Sequence, residues 1–311
     1  MADLPNLANP TYVERVNRAV DYILSHLDEP LPLPTVARVA CFSPYHFHRI
    51  FRALTGETLA HFVKRVRLER AVQMLAHHPG RSLTDVALAC GFSGSSDFSR
   101  SFKAHYGVPP RVFDVRQWQR THRRALEDAW GDAARPRLSG LPAGDNPDGF
   151  ATVLRTLPAR RVAYLRVHRP YEGDGEAVRA ACAELVEWAK RRGLQGGQWL
   201  GYQWEDPEIV PLAQCRYDVG VEVPEDAPLD GVSEVRFAEM KVAELSLAGP
   251  IDLEMRALDW MYRTWLPNSG FVPAHLPAFE AWEGEPFAHG MEHFALRIQL
   301  PVVEAFSTGG P

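Results

Sequence analysis

Residues 40–56 read ACFSPYHFHRIFRALTG, and residues 90–107 read CGFSGSSDFSRSFKAHYG. Both copies carry a short turn, then the pattern F-x-R-x-F-(R/K), and both end at a glycine. The copies begin about fifty residues apart in a chain of 311 residues. Two basic helices held apart by a fixed spacer can enter successive grooves of one DNA duplex. The repeat therefore predicts a double helix-turn-helix that reads DNA.

Helical spacing divides each copy into a buried face and an exposed face. Ser43 is a suitable N-cap for the first helix, with Pro44 in its first turn. The positions expected to face the core are Phe47, Ile50, Phe51 and Leu54 in the first copy, and Phe98, Ser101, Phe102 and His105 in the second. Between the copies, residues 57–78 are predicted to form one helix of roughly 33 Å, close to one turn of duplex DNA.

The charge of the chain is unevenly distributed. Residues 1–125 hold 17 Lys/Arg against 10 Asp/Glu, a net charge of +7, whereas the remainder has a net charge of −12. A basic half indicates a polyanionic partner. The sequence has no stretch near the roughly 20 apolar residues of a membrane span, so we expect a cytoplasmic protein with no membrane partner. The four cysteines lack metal-ligand spacing and are expected to be reduced and buried.

The second half of the chain contains its own duplication. Residues 161–167 match residues 241–247, and each segment alternates like a strand. Each copy continues with a helix, an aromatic segment and a closing strand, namely residues 175–192, 202–205 and 216–224, then 251–265, 280–283 and 293–301. This alignment makes Tyr202 equivalent to Glu280, and Trp204 equivalent to Trp282. A strand-helix-strand-strand unit used twice predicts a pseudo-twofold cleft between the copies.

Residues 11–118 resemble the DNA-binding domain of AraC-type transcription activators, and residues 85–110 match its signature closely. The resemblance implies that one chain places both recognition helices in adjacent major-groove segments. It assigns base reading to Tyr45, His48, Arg49, Ser95, Ser96, Ser99 and Arg100. Arg52 and Lys103 lie a turn further along and are expected to meet phosphate. Asp97 departs from this pattern, because a carboxylate near DNA is repulsive unless it accepts from cytosine or caps the helix.

Residues 151–303 resemble the GyrI-like family of small-molecule-binding domains. The matching segments are residues 170–171, 201–202, 216–219, 265–270 and 280–282. In that family the cleft between the repeats receives drug-like, often cationic and aromatic compounds. We therefore expect a ligand site formed by Tyr171, Tyr202, Trp204, Glu280 and Trp282, with Glu280 as counter-charge. The alternative is that both tryptophans fill the core and Glu280 lies at the surface.

These patterns predict a multidomain fold that joins an all-helical domain to an α+β domain. The boundaries are a double helix-turn-helix over 1–120, a linker over 121–149, a GyrI-like domain over 150–306 and a disordered tail over 307–311. No cofactor or metal is expected. The histidine pair at 289 and 293 is a weak metal candidate, because Gly290 and the approaching strand disfavour a helix there.

The function predicted is a non-enzymatic transcription regulator, and its expected partners are double-stranded DNA, a small-molecule effector and RNA polymerase. In an alternative interpretation, the second domain hydrolyses reactive small molecules with Glu280 as general base. A third is an architectural protein with an empty cleft. Loss of substrate over time would indicate hydrolysis, and saturable binding without product would indicate sensing.

Overall fold

The computed structural model describes residues 10–78, 80–129, 145–173, 175–288 and 293–305. The predicted tail 307–311, and the segment 289–292 of the histidine motif, lie outside these ranges. Contacts between Cα atoms divide the chain into two units. One unit is Met1–Gln119 with Pro228–Val235, and the other is Arg120–Ala227 with Arg236–Pro311.

The N-terminal unit is built from short helices joined by tight turns. In chain order they are α1 Pro10–Ser25, α2 Leu33–Val39, α3 Pro44–Thr55, α4 Leu59–His77, α5 Leu83–Ala89 and α6 Ser95–Tyr106. The hydroxyls of Ser43, Thr58 and Ser82 accept from the backbone N–H three residues later, which satisfies one donor at each helix start. Gly56 and Gly107 end α3 and α6 in the left-handed conformation. The predicted cap and both glycine stops are confirmed.

Aromatic side chains form much of the core of this unit. The rings of Phe47 and Phe51 lie 5.2 Å apart between centroids, and Phe51 meets Phe62 of α4 at 5.5 Å. Phe98 and Phe102 are fully buried in the second copy. Burial of a Phe side chain contributes about 1.5–3 kcal/mol, so these rings fix which face of α3 and α6 turns inward.

Three details of this unit differ from the sequence-based expectations. The connecting helix α4 has 19 residues rather than the 22 predicted, because it begins two residues later, after its cap Thr58, and ends one residue earlier, at His77. That length corresponds to a rise of about 28 Å. His105 is exposed rather than buried, and Cys41 is exposed whereas the other cysteines are buried. His105 and Lys103 lie in the last turn of α6, where basic side chains favour the helix C-terminus.

A seventh helix occupies the start of the predicted linker. Helix α7 spans Val115–Ala129, so the segment predicted as linker from residue 121 is helical for its first nine positions. Residues 130–144 lie outside the described ranges. The Gly and Pro residues that indicate a linker all follow α7 in the sequence. The predicted linker therefore begins nine residues too early.

The C-terminal unit is an antiparallel sheet with helices on one face. Its elements are β1 Val153–Leu157, β2 Arg160–His168, α8 Glu176–Arg192, β3 Trp199–Gln203, β4 Arg216–Glu222, β5 Ser233–Phe237, β6 Met240–Gly249, α9 Ile251–Trp260, α10 Leu266–Ser269, β7 Phe271–Pro273, β8 Phe279–Trp282 and β9 Phe294–Glu304. A π-helical segment, Met261–Trp265, joins α9 to α10. Helix α8 packs on β2 and β4, and α9 packs on β6. The predicted fold class is confirmed.

The sheet order shows the predicted duplication. The strands follow one another as β1-β6-β9-β8-β3-β4-β2-β5, while β7 pairs with β9 off this path. The counterparts in the two halves are β1 and β5, β2 and β6, β3 and β8, and β4 and β9. If the sheet is read from its other end and each strand is exchanged for its counterpart, the same order results. Each repeat begins with a strand that was not predicted, β1 before β2 and β5 before β6, and the second repeat also contains the short strand β7. These two additional strands pair with the opposite repeat, β1 with β6 and β5 with β2.

Candidate functional site

The first recognition helix presents a row of polar and basic side chains to solvent. Tyr45, His48, Arg49 and Arg52 of α3 are all exposed, and Tyr45 is 67% exposed. Arg49 Nη1 donates to Tyr45 Oη at 3.4 Å, and its guanidinium carbon lies 5.9 Å from the ring centroid. The buried residues Phe47, Ile50 and Phe51 hold the opposite face in the core. This geometry leaves the predicted base-reading row of the first copy free to enter a groove.

The second recognition helix repeats this arrangement with smaller side chains. Ser96, Arg100 and Lys103 of α6 are exposed, and Ser95 and Ser99 are half-buried. Asp97 accepts from Ser93 Oγ at 3.2 Å, and its Oδ1 lies 4.0 Å from Arg100 Nη2. The carboxylate is therefore held at the start of the helix, where it ties down the turn and complements the helix dipole.

The turn before each recognition helix needs a left-handed residue. Gly91 has φ of 74°, and Cys41 at the equivalent position has φ of 53°. A Cβ on Gly91 would overlap the carbonyl oxygen of Leu27 and lie 2.7 Å from the guanidinium carbon of Arg67. Arg67 Nε donates to that same Leu27 oxygen at 2.8 Å. Glycine is therefore required at position 91 for two separate reasons, conformation and close approach.

In the C-terminal unit, one cross-strand pair lies at the centre of the sheet. Gly201 of β3 is paired with Glu280 of β8. The strand registers carry the match of residues 161–167 with 241–247 inward to this pair, which places it on the pseudo-twofold axis. Tyr217 Oη of β4 donates to Glu280 Oε2 at 2.5 Å. A Cβ on Gly201 would overlap Tyr217 Oη and lie 2.8 Å from Glu280 Oε2. The missing side chain at position 201 makes the room in which phenol and carboxylate meet.

Other titratable groups line the same face of the sheet. Tyr171 Oη donates to Gln203 Oε1 at 2.8 Å, and Gln203 is paired with Tyr217. Burial raises the pKa of Glu280 to about 7, although the hydrogen bond from Tyr217 partly offsets the rise. Burial also raises the pKa of the Cys182 thiol to about 12, and the charge of Glu280 adds to that rise. Tyr171, Tyr217 and Glu280 are half-buried and keep partial contact with solvent, and the part of this sheet face that they share is called the Glu280 cleft below.

The predicted ligand residues do not all meet in this cleft. Tyr202 is paired with Phe279, next to Glu280, so its side chain points to the opposite face of the sheet. Trp204 lies on that opposite face too, because its Nε1 donates to Asp218, the cross-strand partner of Tyr202. The expectation that Tyr202 and Trp204 share a cleft with Glu280 is wrong. An alignment error of one residue caused it, since the structure makes Gly201, not Tyr202, the counterpart of Glu280.

Trp282 lies on the same face as Glu280 but packs into the core. It is 7% exposed, and its ring lies 5.1 Å from Phe287 and 5.5 Å from Phe294 between centroids. Trp282 therefore does not line the cleft beside Glu280, and the core-filling alternative applies to this tryptophan. Tyr171 and Glu280 are the two predicted ligand residues that the structure brings to one face. Two open surface hollows lie elsewhere, one beside Arg155 and Glu244 and the other beside Gln198 and Trp282.

Sequence reasoning missed Gly201 and Tyr217 as candidate site residues. Strand alternation across β3 and β4 would have placed Tyr217 beside Glu280, once the register was known.

Across the ranges that the structure describes, no helix is both long enough and apolar enough to cross a membrane.

Comparisons with known proteins divide the chain in the same way. Residues 36–116 match a family described as a helix-turn-helix domain, and residues 151–303 match the GyrI-like small molecule binding domain. The chain is 35% identical over 86 residues to the probable transcription factor PqrA of Proteus vulgaris, covering 70% of that protein and 28% of this chain. It is 33% identical over 102 residues to the uncharacterized HTH-type transcriptional regulator YbfP of Bacillus subtilis, covering 33% of this chain.

The shared region is a limited part of most of these relatives. The chain spans 34% of YbfP, and 40% of the probable transcriptional regulator LumQ of Photobacterium leiognathi. Among solved structures, an AraC-type DNA-binding domain protein from Chromobacterium violaceum shows 29% identity with a TM-score of 0.30, over 31% of this chain and 86% of that one.

These relatives are named as transcription regulators, which gives the hydrolase alternative no support. The helix-turn-helix match contains α3 and α6 with their exposed basic rows, while the GyrI-like match covers the sheet with its central carboxylate. The chain therefore belongs to the AraC-type transcription regulators, with a GyrI-like small-molecule-binding domain as its C-terminal half.

Proposed function

We propose that this regulator reads base sequence through α3 and α6, and that a flat organic cation bound beside Glu280 changes its DNA affinity or its recruitment of RNA polymerase. The observation that carries the ligand half is the Gly201–Tyr217–Glu280 arrangement on the sheet axis. A carboxylate with two phenols, half-buried and in partial contact with solvent, suits a cationic aromatic guest.

The DNA half of the proposal rests on exposure and charge. We assign base contacts to Tyr45, His48, Arg49, Ser95, Ser96, Ser99 and Arg100, and phosphate contacts to Arg52 and Lys103. Arginine can donate two hydrogen bonds to guanine O6 and N7, and serine can bond either base or phosphate. Tyr45 Oη accepts a hydrogen bond from Arg49 Nη1, so the two side chains lie together on the exposed face of α3. The net charge of +7 over residues 1–125 supplies the non-specific attraction.

A matched pair of variants on one helix tests these roles. Binding sites are first selected from random duplex DNA, and each variant is then titrated against the selected site and its single-base changes. We expect Arg49→Ala to cost about 1–3 kcal/mol at particular base pairs and to relax their preference. Arg52→Ala is expected to weaken all sequences alike and to reduce the salt slope by about one. An equal loss on every sequence for Arg49→Ala would reassign Arg49 to phosphate.

The ligand half rests on the face that carries Glu280. We retain Tyr171 and Glu280 as ligand contacts and add Tyr217, whose hydroxyl already orients the carboxylate. Because burial raises the pKa of Glu280 to about 7, the empty cleft holds a proton at this carboxylate for part of the time at neutral pH. A cation that replaces the proton restores the charge balance without desolvating a bare carboxylate.

Fluorescence quenching by planar cations tests the ligand half. We expect saturable quenching in the wild type, with affinity at least about tenfold weaker in Glu280→Gln, which is about 1.4 kcal/mol. Equal affinity in both proteins would dismiss the counter-charge role. Repeating the DNA selection with and without the bound cation then shows whether occupancy changes DNA binding. A stable ligand concentration during the measurement supports sensing, whereas its decay would support turnover.

A further inference from the structure

A second carboxylate, that of Glu254, lies near enough to Glu280 for their charges to interact, and it takes no part in the arrangement described so far. Glu254 projects from the first turn of α9 and is only 4% exposed. Within the part of the chain that the structure describes, its side chain has neither a hydrogen bond nor an ion pair. Burial raises the pKa of Glu254, and the like charge of Glu280 raises it further. The inference that follows rests on the proposed function of the Glu280 cleft.

Within the described ranges, the titratable groups that interact with these two carboxylates are all acidic or neutral. Among the described residues, they are the two glutamates themselves, Glu254 of α9 and Glu280 of β8, together with Tyr217 of β4, Cys182 of α8 and Tyr171 after β2. The charge of both glutamates raises the pKa of Tyr217, after burial, which is the larger cause. Among the described residues, no arginine or lysine lowers the pKa of Glu254 or of Glu280. The described part of the chain therefore supplies no counter-ion for this pair.

A buried carboxylate and a half-buried one, with no cation between them, cannot both be ionised at low cost. Burial of an unpaired charge costs several kcal/mol, and a like charge nearby adds to this cost. An unpaired carboxyl in a core would be disfavoured against a leucine of similar volume. Elsewhere in the unit buried acids do have partners, as Asp218 has Arg166 and Glu205 has Arg216. The absence of a partner at Glu254 thus sets it apart from the structural ion pairs.

We propose that Glu254 is a second counter-charge of the ligand cleft, and that the cleft prefers organic dications to monocations of the same aromatic frame. A monocation neutralises Glu280 and leaves the carboxyl of Glu254 in its protonated form. A dication neutralises both and displaces the proton from Glu254 as well. Binding of a dication therefore releases more protons, and its affinity rises more steeply with pH.

Ethidium and propidium form a suitable probe pair, because they share one phenanthridinium frame and carry one and two positive charges. Each is titrated without DNA into the full-length wild type, Glu254→Gln and Glu280→Gln. Glu187→Gln serves as the charge-matched control, since Glu187 is exposed on α8 and its loss changes the net charge equally. We expect propidium to bind the wild type and the control at least about tenfold more tightly than ethidium.

The two glutamines are expected to act differently. Glu254→Gln should abolish the advantage of propidium and change ethidium affinity by less than about threefold, whereas Glu280→Gln should weaken both probes. The pH dependence of binding to unmodified protein gives a second measurement that needs no variant. Between pH 6 and 8, about one more proton should be released with propidium than with ethidium.

The outcomes separate this inference from the proposed function. Suppose that ethidium binds through Glu280. If propidium then binds no more tightly than ethidium, or if it still binds more tightly in Glu254→Gln, the role of Glu254 is overturned while the proposed Glu280 site stands. Equal proton release for the two probes overturns it as well. If neither probe binds, or Glu280→Gln binds both as well as the wild type, the cleft itself is wrong and both proposals fail.

Discussion

Replacement of Gly201 by alanine adds one methyl group at the most crowded point of the ligand cleft. That methyl would overlap Tyr217 Oη and lie 2.8 Å from both Tyr217 Cζ and Glu280 Oε2. The backbone at position 201 is not left-handed, so the cost comes from side-chain contact rather than from φ. Overpacking costs about 1–3 kcal/mol. Displacing Tyr217 also removes a hydrogen bond to a carboxylate, worth about 1.5–3 kcal/mol. We expect a loss of roughly 2–4 kcal/mol in the free energy of unfolding of this unit.

The measurement is urea unfolding followed by tryptophan fluorescence, with Gly196→Ala as control because nothing lies within 4 Å of its added methyl. Shortening the neighbour should relieve the strain, so in a Tyr217→Leu background Gly201→Ala should cost less than about 1 kcal/mol. The same variant should also lose affinity for planar cations. If Gly201→Ala is as stable as Gly196→Ala, or if Tyr217→Leu gives no relief, the packing inferred at the sheet axis is incorrect.

Three further outcomes follow from other parts of the chain. Gly91→Ala should lower the melting temperature more than Gly56→Ala. Both variants replace a glycine in the left-handed conformation, but only the methyl group at position 91 meets a backbone atom, the carbonyl oxygen of Leu27. Equal losses would contradict this close approach. Raising the pH from 5 to 8 should destabilise the GyrI-like unit, because folded Glu280 keeps its proton up to about pH 7 while the unfolded chain releases it earlier. Glu254→Gln should reduce that pH dependence in melting curves, and an unchanged slope would argue against the pair. Burial raises the pKa of Cys90 to about 12, so peptide mapping should find it alkylated far more slowly in native than in denatured protein.

The helical half could be predicted closely from sequence because its signals are local. A cap such as Ser43, a stop such as Gly56 and a buried stripe such as Phe47 and Phe51 all act within a few residues. The errors in this half have local causes too. His105 was placed on the inner face by extending the stripe one turn too far, to a position where the helix already meets solvent.

The ligand cleft could be predicted only in part, because sheet faces depend on register. Successive side chains alternate between the two faces of a strand. An alignment error of one residue therefore assigned Tyr202 and Trp204 to the face that carries Glu280, although they lie on the opposite face. Glu280 and Tyr171 were identified through resemblance, whereas Gly201 became visible only through its pairing with Glu280. Glu254 depends on how α9 packs over the sheet, and a single sequence contains no information on that packing.

The exchange of outer strands between the two repeats has a consequence for how this domain can be divided. Since β1 completes the second repeat and β5 completes the first, neither repeat has all of its hydrogen-bonding edges within its own segment. If the chain were cut between β4 and β5, each fragment would have an exposed sheet edge without its partner strand. Each would also carry one strand, β1 or β5, whose partner lies in the other fragment. We expect such fragments to be insoluble when expressed singly and to recover a common folded state only when produced together, as complementing halves.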